Sequence, residues 1–148
     1  MSYELIELPG MTVMGIHTRL SNAELNKLGD LWRSFHAMGD HKIVESRLND
    51  MHCCVYCEYE GDHTQPYTAV IGCEVADGTP AIEGMKTVRI EAGRFAVYKR
   101  PYEQPNPVFA IWEEIWATPL DGTLDRSYQA DFDRYGAAEG ITVNVRVW

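Results

Sequence analysis

Aromatic rings are abundant in this chain, and they point to recognition of a positively charged small molecule. The 148 residues include four Trp, eight Tyr and four Phe. The face of an aromatic ring carries negative quadrupole density, so each ring that contacts a quaternary or protonated amine contributes about 0.5–2 kcal/mol. An acid at the base of an apolar pocket would add selectivity for positive charge, because burying a carboxylate without a basic partner costs several kcal/mol.

A strand-like segment near the C-terminus supplies a candidate acid. Side chains two residues apart on a strand share a face, so Asp133 shares one with Tyr135 and with Asp131. A structural role is an equal alternative on the residues alone, since Asp133 can face water or pair with Arg134. The choice between these roles stays open at this point.

Further rings are candidate walls for such a pocket. Phe109 and Trp112 lie one turn apart near the start of a predicted helix, where the mouth of a cleft can reach them. Tyr98, Tyr56 and Trp32 are additional candidates. Rings at helical spacing usually pack in the core instead. The core interpretation is favoured for Trp32, Phe35, Ile115 and Trp116.

The cysteines are predicted to be reduced, buried side chains. Cys53, Cys54 and Cys57 lie within five residues of one another, and Cys73 follows. Two cysteines chelate zinc from one side of a tight turn. This stretch is typical of a strand instead, in which Cys54 and Cys57 point to opposite faces while Cys53 and Cys57 share one. The five histidines show no ligand spacing, so no metal and no cofactor is expected.

Charge and composition argue against nucleic acid and membranes as partners. Lys and Arg total 13 and Asp and Glu total 22, which gives a formal net charge of −9. Such a chain repels phosphate backbones and attracts cationic molecules. The N-terminus shows neither a basic segment nor a long apolar run, so we expect a cytoplasmic protein without an export signal or a membrane span.

The elements that must position these residues follow a repeated order. Helices are expected from Ser21, with a capping-box partner at Glu24, to Gly39-Asp40, and from Asn106-Pro107 to Thr118-Pro119. Residues 40–50 are expected to form a loop. Strands are expected at 3–8, 12–18, 51–60, 67–75, 85–91, 94–100, 128–135 and 140–148. The order strand–strand–helix–strand–strand occurs twice, which predicts a single α+β domain of two half-repeats, roughly residues 1–80 and 81–148. A ligand cleft is expected between the halves.

Several segments, in this order and spacing, carry a family resemblance. They are 7–15, 67–75, 90–97, 109–116 and 131–135. Together they resemble the GyrI-like small-molecule-binding domains, which also occur as effector-binding domains of AraC-type and MerR-type regulators. The length is similar to that of single-domain members, some of which come from integron cassettes and bind cationic drugs. The resemblance implies duplicated βαββ units related by a pseudo-twofold axis, with antiparallel sheets, two helices and a hydrophobic pocket between the halves.

The resemblance also implies which acid faces the pocket. The family's signature is Glu-x-Tyr, in which the glutamate pairs with the ligand cation, and Asp133 stands at the matching position before Tyr135. Because aspartate is one methylene shorter, its charge reaches less far, and Glu74 or Glu58 is the alternative acid. The implied function is binding of small lipophilic cations, such as drugs, dyes and quaternary ammonium compounds. A partner regulator that reads the bound state is possible on this interpretation.

Two other functions stay open. Some members of the family resemble hydrolases of reactive, cyclopropane-bearing toxins, which use an acid and rings in the same pocket. A carboxylate acting as a general base must come within hydrogen-bond distance of its target, and the shorter Asp133 counts against that. The third possibility is a protein-interaction role as an inhibitor of a topoisomerase, in which the charge of −9 would mimic nucleic acid. We therefore favour a ligand-binding protein over an enzyme.

Overall fold

The fold is built on an antiparallel sheet whose strands come from both halves of the chain. The computed structural model describes residues 3–61, 64–100, 108–117, 127, 129–136 and 140–147. Within these ranges the strands are β1 Tyr3–Leu8, β2 Met11–Leu20, β3 His52–Cys57, β4 Tyr67–Val75, β5 Lys86–Ile90, β6 Gly93–Arg100, β7 Ala130–Gly136 and β8 Gly140–Arg146. They form one eight-stranded sheet in the order β1-β6-β8-β7-β3-β4-β2-β5.

The strand order is symmetric about the pair β3 and β7. Exchanging β1 with β5, β2 with β6, β3 with β7 and β4 with β8 reproduces the same order read backwards. The first strand of each half pairs with the other half, since β1 lies against β6 and β5 lies against β2. This topology confirms the predicted α+β class. The division into half-repeats near residue 80 stays a prediction.

The helices cover one face of this sheet. They are α1 Leu25–Ser34, α2 Asp40–Ile43 and α3 Val108–Ala117. A 3-10 turn over Asn22–Glu24 leads into α1, and the predicted capping box lies at the start of this turn, where the Ser21 N–H donates to Glu24 Oε1 at 3.1 Å. None of the described helices has the length and apolar character needed to span a bilayer.

The predicted end of the first helix at Gly39-Asp40 is wrong. A π-helical turn over Phe35–Gly39 carries the chain into α2, so the predicted loop over residues 40–50 begins one turn later. The extra turn places Ile43 in the core, where its side chain is fully buried. The predicted boundaries at residues 106–107 and 118–119 lie outside the described residues.

Alternation along the strands separates two apolar clusters, one on each face of the sheet. On β3, Cys54 and Tyr56 join the cluster beneath the helices, whereas Cys53 and Cys57 join the cluster on the other face. All four cysteines are buried thiols, as predicted. Burial raises the pKa of Cys53 to about 12 and that of Cys57 to about 11. Their packing role is that of small apolar side chains.

Two glycines allow β2 and β4 to approach closely on this sheet. Gly15 lies opposite Gly72 in the register of the two strands. A Cβ atom on Gly72 would lie 1.7 Å from the carbonyl oxygen of Met14, so any side chain there must displace backbone. The pairing of these strands therefore depends on glycine at this position.

Candidate functional site

A cavity of about 890 Å³ lies between the two longer helices and the sheet. Helix α1 turns an apolar stripe towards it, including Leu25, Leu28 and Trp32. None of the residues of α1 is fully buried. In a filled core this stripe would pack against other side chains, whereas here it borders the cavity. The opposite wall is α3, and the floor is the face of the sheet formed by β3, β4 and β7.

The walls are largely aromatic. On α3, Phe109, Trp112 and Trp116 line the cavity at helical spacing. The ring of Phe109 is 45% exposed and lies at the solvent-facing edge, whereas Trp112 is buried deeper. Tyr56 on the floor packs edge-on against Trp112, with ring centroids 5.2 Å apart. Trp32 packs edge-on against Tyr135 at the same centroid distance.

Asp133 lies on the floor of this cavity and is held by three ring donors. Its side chain is 1% exposed. Trp112 Nε1 donates to Oδ1 at 2.9 Å. The Tyr56 hydroxyl donates to Oδ2 at 2.6 Å, and the Tyr135 hydroxyl donates to the same oxygen at 3.1 Å. The described residues that line the cavity include no Lys or Arg. The carboxylate is thus solvated by neutral donors rather than by a cation.

This environment raises the pKa of Asp133 to about 7. Burial is the largest cause, because removing an ionised carboxylate from water disfavours its charge. The hydrogen bonds from Tyr56, Trp112 and Tyr135 act in the opposite direction, and the nearby charge of Asp131 adds to the rise. At neutral pH the site therefore lies between a protonated acid and a carboxylate that lacks a positive partner.

Asp131 is a second buried carboxylate on β7, and its partners are different. The Tyr59 hydroxyl donates to Oδ2 at 2.6 Å, and the backbone N–H of Arg146 donates to Oδ1 at 2.8 Å. Asp131 is fully buried, and it holds the hydroxyl of Tyr59, whose side chain lines the cavity. Its hydrogen bonds connect β7 to β8 and to the segment that follows β3.

The structure brings most of the predicted site residues together. Those that line the cavity are Asp133, Tyr135, Phe109, Trp112, Tyr56 and Trp32. Tyr98 does not join them. It lies on β6, which β8 separates from β7, and it is fully buried against Tyr3 with ring centroids 5.3 Å apart. Its expected place in the pocket is corrected to a place in the core.

The alternative acids lie elsewhere because of strand alternation. Cys73 and Val75 point to the helix-covered face, so Glu74 between them points to the other face. There it accepts a hydrogen bond from Arg134 Nη2 at 3.0 Å. This ion pair also removes Arg134 as the partner of Asp133. Glu58 lies at the exposed end of β3, where its carboxylate pairs with Lys86 at 3.1 Å.

Several lining residues were not among the predicted site residues. Trp116 was assigned to the core, although it lies one turn after Trp112 on the same helix face and borders the cavity. Tyr67 starts β4 on the face shared with Tyr56, and the pairing of Tyr56 with Ala69 is what makes these faces coincide. Tyr59, His36 and His52 are further rings of the lining that the prediction omitted. The alternation along β4 indicated which residues share a face with Tyr67. Placing that face beside Tyr56, however, requires the pairing of β3 with β4.

Comparisons with known proteins describe a similar molecule. The model of the Cass2 family, described as an integron-associated effector binding protein, matches residues 4–148. An integron cassette protein from the mobile metagenome of Vibrio cholerae shares 23% identity and a TM-score of 0.83, over 99% of this chain and 96% of its own. No curated protein sequence matches the chain.

Two further solved structures share the fold at lower identity. The protein SAV2435, solved with tetraphenylphosphonium bound, has 14% identity and a TM-score of 0.74 over 100% of this chain and 94% of its own. EcmrR, in a complex with DNA, has 12% identity and a TM-score of 0.57 over 99% of this chain and 58% of its own. Identities at this level show a common fold.

Proposed function

Because the chain belongs to the family of integron-associated effector binding proteins, we propose that its effector is a small lipophilic cation, bound in the ring-lined cavity with Asp133 as the charge partner. The observation that carries this proposal is the burial of Asp133 among neutral donors. A carboxylate desolvated in this way gains more from an incoming cation than one in water, since Coulomb attraction strengthens as the effective dielectric constant falls.

The rings around Asp133 supply the rest of the recognition. Trp112, Tyr56 and Tyr135 surround the carboxylate with aromatic edges and hydroxyls, and Trp32 and Phe109 extend the aromatic wall outwards. Each ring that meets a cation adds about 0.5–2 kcal/mol. A volume of about 890 Å³ is within the range of pockets that bury drug-sized ligands. The apolar walls favour a lipophilic cation over a hydrated inorganic ion.

The ligand of SAV2435 supports the choice of probe. That protein shares the fold and holds tetraphenylphosphonium, a lipophilic cation without N–H groups. A matched pair for this chain is methyltriphenylphosphonium and triphenylphosphine oxide, which differ in charge and in one small substituent. Calorimetric titration at about pH 8, where Asp133 is mostly ionised, should give tighter binding of the cation by at least about tenfold.

The variant Asp133→Asn tests the assigned charge partner. Its amide oxygen can accept from Trp112 Nε1, and its amide N–H groups can donate to the hydroxyl oxygens of Tyr56 and Tyr135. The same side chains thus stay linked, with the direction reversed at the two hydroxyls, while the charge is lost. We expect the preference for the phosphonium over the oxide to disappear. The matched control is Glu113→Gln, which removes one exposed charge from the same helix as Trp112 and should keep the preference. Equal affinity of the unmodified protein for both ligands would contradict the proposal.

The other two functions carry separate predictions. A hydrolase would form product in excess over protein and lose turnover in Asp133→Asn. A topoisomerase inhibitor would keep its partner after the cavity is filled by a larger side chain at Gly29, where a Cβ meets only Arg33 at 3.7 Å.

A further inference from the structure

Glu58 adopts a backbone conformation that glutamate rarely takes. Its φ is 54°, and among the described residues other than glycine it alone has a positive φ. The left-handed region brings Cβ too close to the following carbonyl oxygen, so few residues other than glycine, asparagine and aspartate occupy it. Such conformations persist where the surrounding structure imposes them, and they are concentrated at functional sites. Glu58 directly precedes Tyr59, a ring of the cavity lining.

This conformation exchanges the faces to which two side chains point. In an extended strand, Glu58 would share the cavity face with Tyr56, and Tyr59 would share the opposite face with Cys57. The structure shows the reverse. The ring of Tyr59 packs against the cluster beneath the helices and lines the cavity. The carboxylate of Glu58 instead lies 3.1 Å from Nζ of Lys86, on the face of β5 that belongs to the opposite cluster.

Hydrogen bonds on both sides hold this arrangement in place. Arg19 Nη1 donates to the carbonyl oxygen of Glu58 at 2.6 Å. The same guanidinium donates through Nη2 to the Glu60 carboxylate at 2.9 Å. On the cavity side, the Tyr59 hydroxyl donates to Asp131 Oδ2 at 2.6 Å. The carbonyl that precedes Tyr59 and the hydroxyl at the far end of its ring are therefore both fixed.

We infer that Glu58 is a positioning residue of the ligand site, whose left-handed backbone turns the ring of Tyr59 into the cavity and keeps its own carboxylate out. With an extended backbone at this position, the cavity would lose a ring and gain a flexible acid beside the floor that holds Asp133. A ring that contacts the bound cation raises its affinity by about 2- to 30-fold. The inference rests on the proposed function and assigns a further residue to the same site.

Two substitutions of similar size separate the backbone of Glu58 from its charge. Asparagine tolerates the left-handed region, whereas the β-branched side chain of valine makes it a genuine outlier. Glu58→Asn and Glu58→Val both remove the ion pair with Lys86. The probe is methyltriphenylphosphonium, titrated by calorimetry against the full chain at about pH 8. We expect Glu58→Asn to keep the wild-type affinity and Glu58→Val to lower it by about 2- to 30-fold.

The variant Tyr59→Ala shows whether Glu58 acts through the ring. It should lower the affinity as much as Glu58→Val does, and adding Glu58→Val to it should cause no further loss, because the two changes remove the same contact. Fluorine NMR of protein labelled with ring-fluorinated tyrosine reports the placement of the ring without ligand. The resonance that Tyr59→Phe removes should move in Glu58→Val, where the hydroxyl leaves Asp131, and stay in Glu58→Asn.

The outcomes separate the inference from the proposed function. Affinity that is kept in Glu58→Asn, lowered in Glu58→Val and equal in Tyr59→Ala and the double variant supports the inference. Wild-type affinity in Glu58→Val or in Tyr59→Ala overturns it, as does an equal loss in Glu58→Asn and Glu58→Val or a further loss in the double variant. A wild type that does not bind the phosphonium overturns the proposed function.

The fluorine resonance decides the placement of the ring in either case, since it needs no ligand. A resonance of Tyr59 that is the same in the wild type and in Glu58→Val overturns the inference. A thermal melt shows whether each variant is folded. If Glu58→Val does not fold, Glu58→Ala takes its place, because the Cβ of alanine also disfavours the left-handed region.

Discussion

The affinity for a permanent cation should depend on the protonation state of Asp133. Burial raises the pKa of this carboxyl to about 7. Its ionised fraction is then about 0.9 at pH 8 and about 0.1 at pH 6. If a cation binds the ionised form alone, its dissociation constant should be about tenfold larger at pH 6 than at pH 8. Above pH 8 the affinity should change little.

The direction of this pH dependence follows from competition at the Asp133 carboxylate. A proton and a ligand cation compete for the same carboxylate, so acid weakens binding and the bound protein releases a proton. An acid with a depressed pKa would instead stay ionised over the whole interval and would give no such dependence. A plateau of affinity from pH 6 to pH 8 would therefore mean that Asp133 is ionised throughout.

Methyltriphenylphosphonium is a suitable ligand for the assay because it does not titrate. Its binding can be followed by calorimetry or by quenching of the fluorescence of Trp112 and Trp116, which border the cavity. The control is Asp133→Asn, which keeps His36 and His52 at the edge of the cavity. Any effect of those imidazoles is common to both proteins. An identical pH dependence in the two proteins would refute the assignment of the titrating group to Asp133.

Four further predictions concern the protein without ligand. Because the pKa of Asp133 is higher in the folded state than in the unfolded state, the free energy of unfolding should fall by up to about 4 kcal/mol as the pH rises from about 4 to about 7. Urea denaturation should show this fall in the wild type and lose it in Asp133→Asn; equal curves would contradict the raised pKa. Gly72→Ala should fail to give a folded protein, because its Cβ would lie 1.7 Å from a carbonyl oxygen of β2. Gly29→Ala, in α1, should raise the free energy of unfolding by about 1 kcal/mol in the same urea denaturation. Alkylation of Cys53 should be slow in the native protein and fast in urea, because burial raises its pKa to about 12; fast native labelling would contradict its burial.

The strand pattern and the class of fold could be predicted from the sequence because alternation and turn residues are local signals. The bounds of β1 and β4 were predicted to the residue. Alternation also predicted the opposite faces of Cys54 and Cys57. The predicted end of the first helix was wrong because Gly39 is normally a stop signal. The burial of Ile43 outweighs that signal, and burial depends on contacts distant in sequence.

The candidate site was predictable only where neighbours along the chain carry it. Asp133 and Tyr135 share a strand face, and Phe109 and Trp112 share a helix face, so local spacing groups each pair. Joining the two pairs requires knowing that Trp112 on α3 reaches Asp133 on β7, which no short-range pattern contains. The same limit explains why Tyr98 was expected in the pocket although it lies in the core.

A tyrosine on a strand can face the core or a cavity, and its own sequence neighbourhood is the same in both cases. The choice for Tyr98 is made by the position of β6, two places from β7 in the sheet. Glu74 is similar, because the residue that pairs with it, Arg134, lies 60 positions away. Predicting such pairs needs the register of the sheet.

A crystal structure of the chain with methyltriphenylphosphonium would test the central claim most directly. We predict the phosphorus inside the cavity between α1 and α3, within about 6 Å of the ring centroids of Trp112 and Tyr56 and on the open side of the Asp133 carboxylate. A phosphonium bound outside the cavity, with the cavity empty and Asp133 still covered by its three ring donors, would contradict the account.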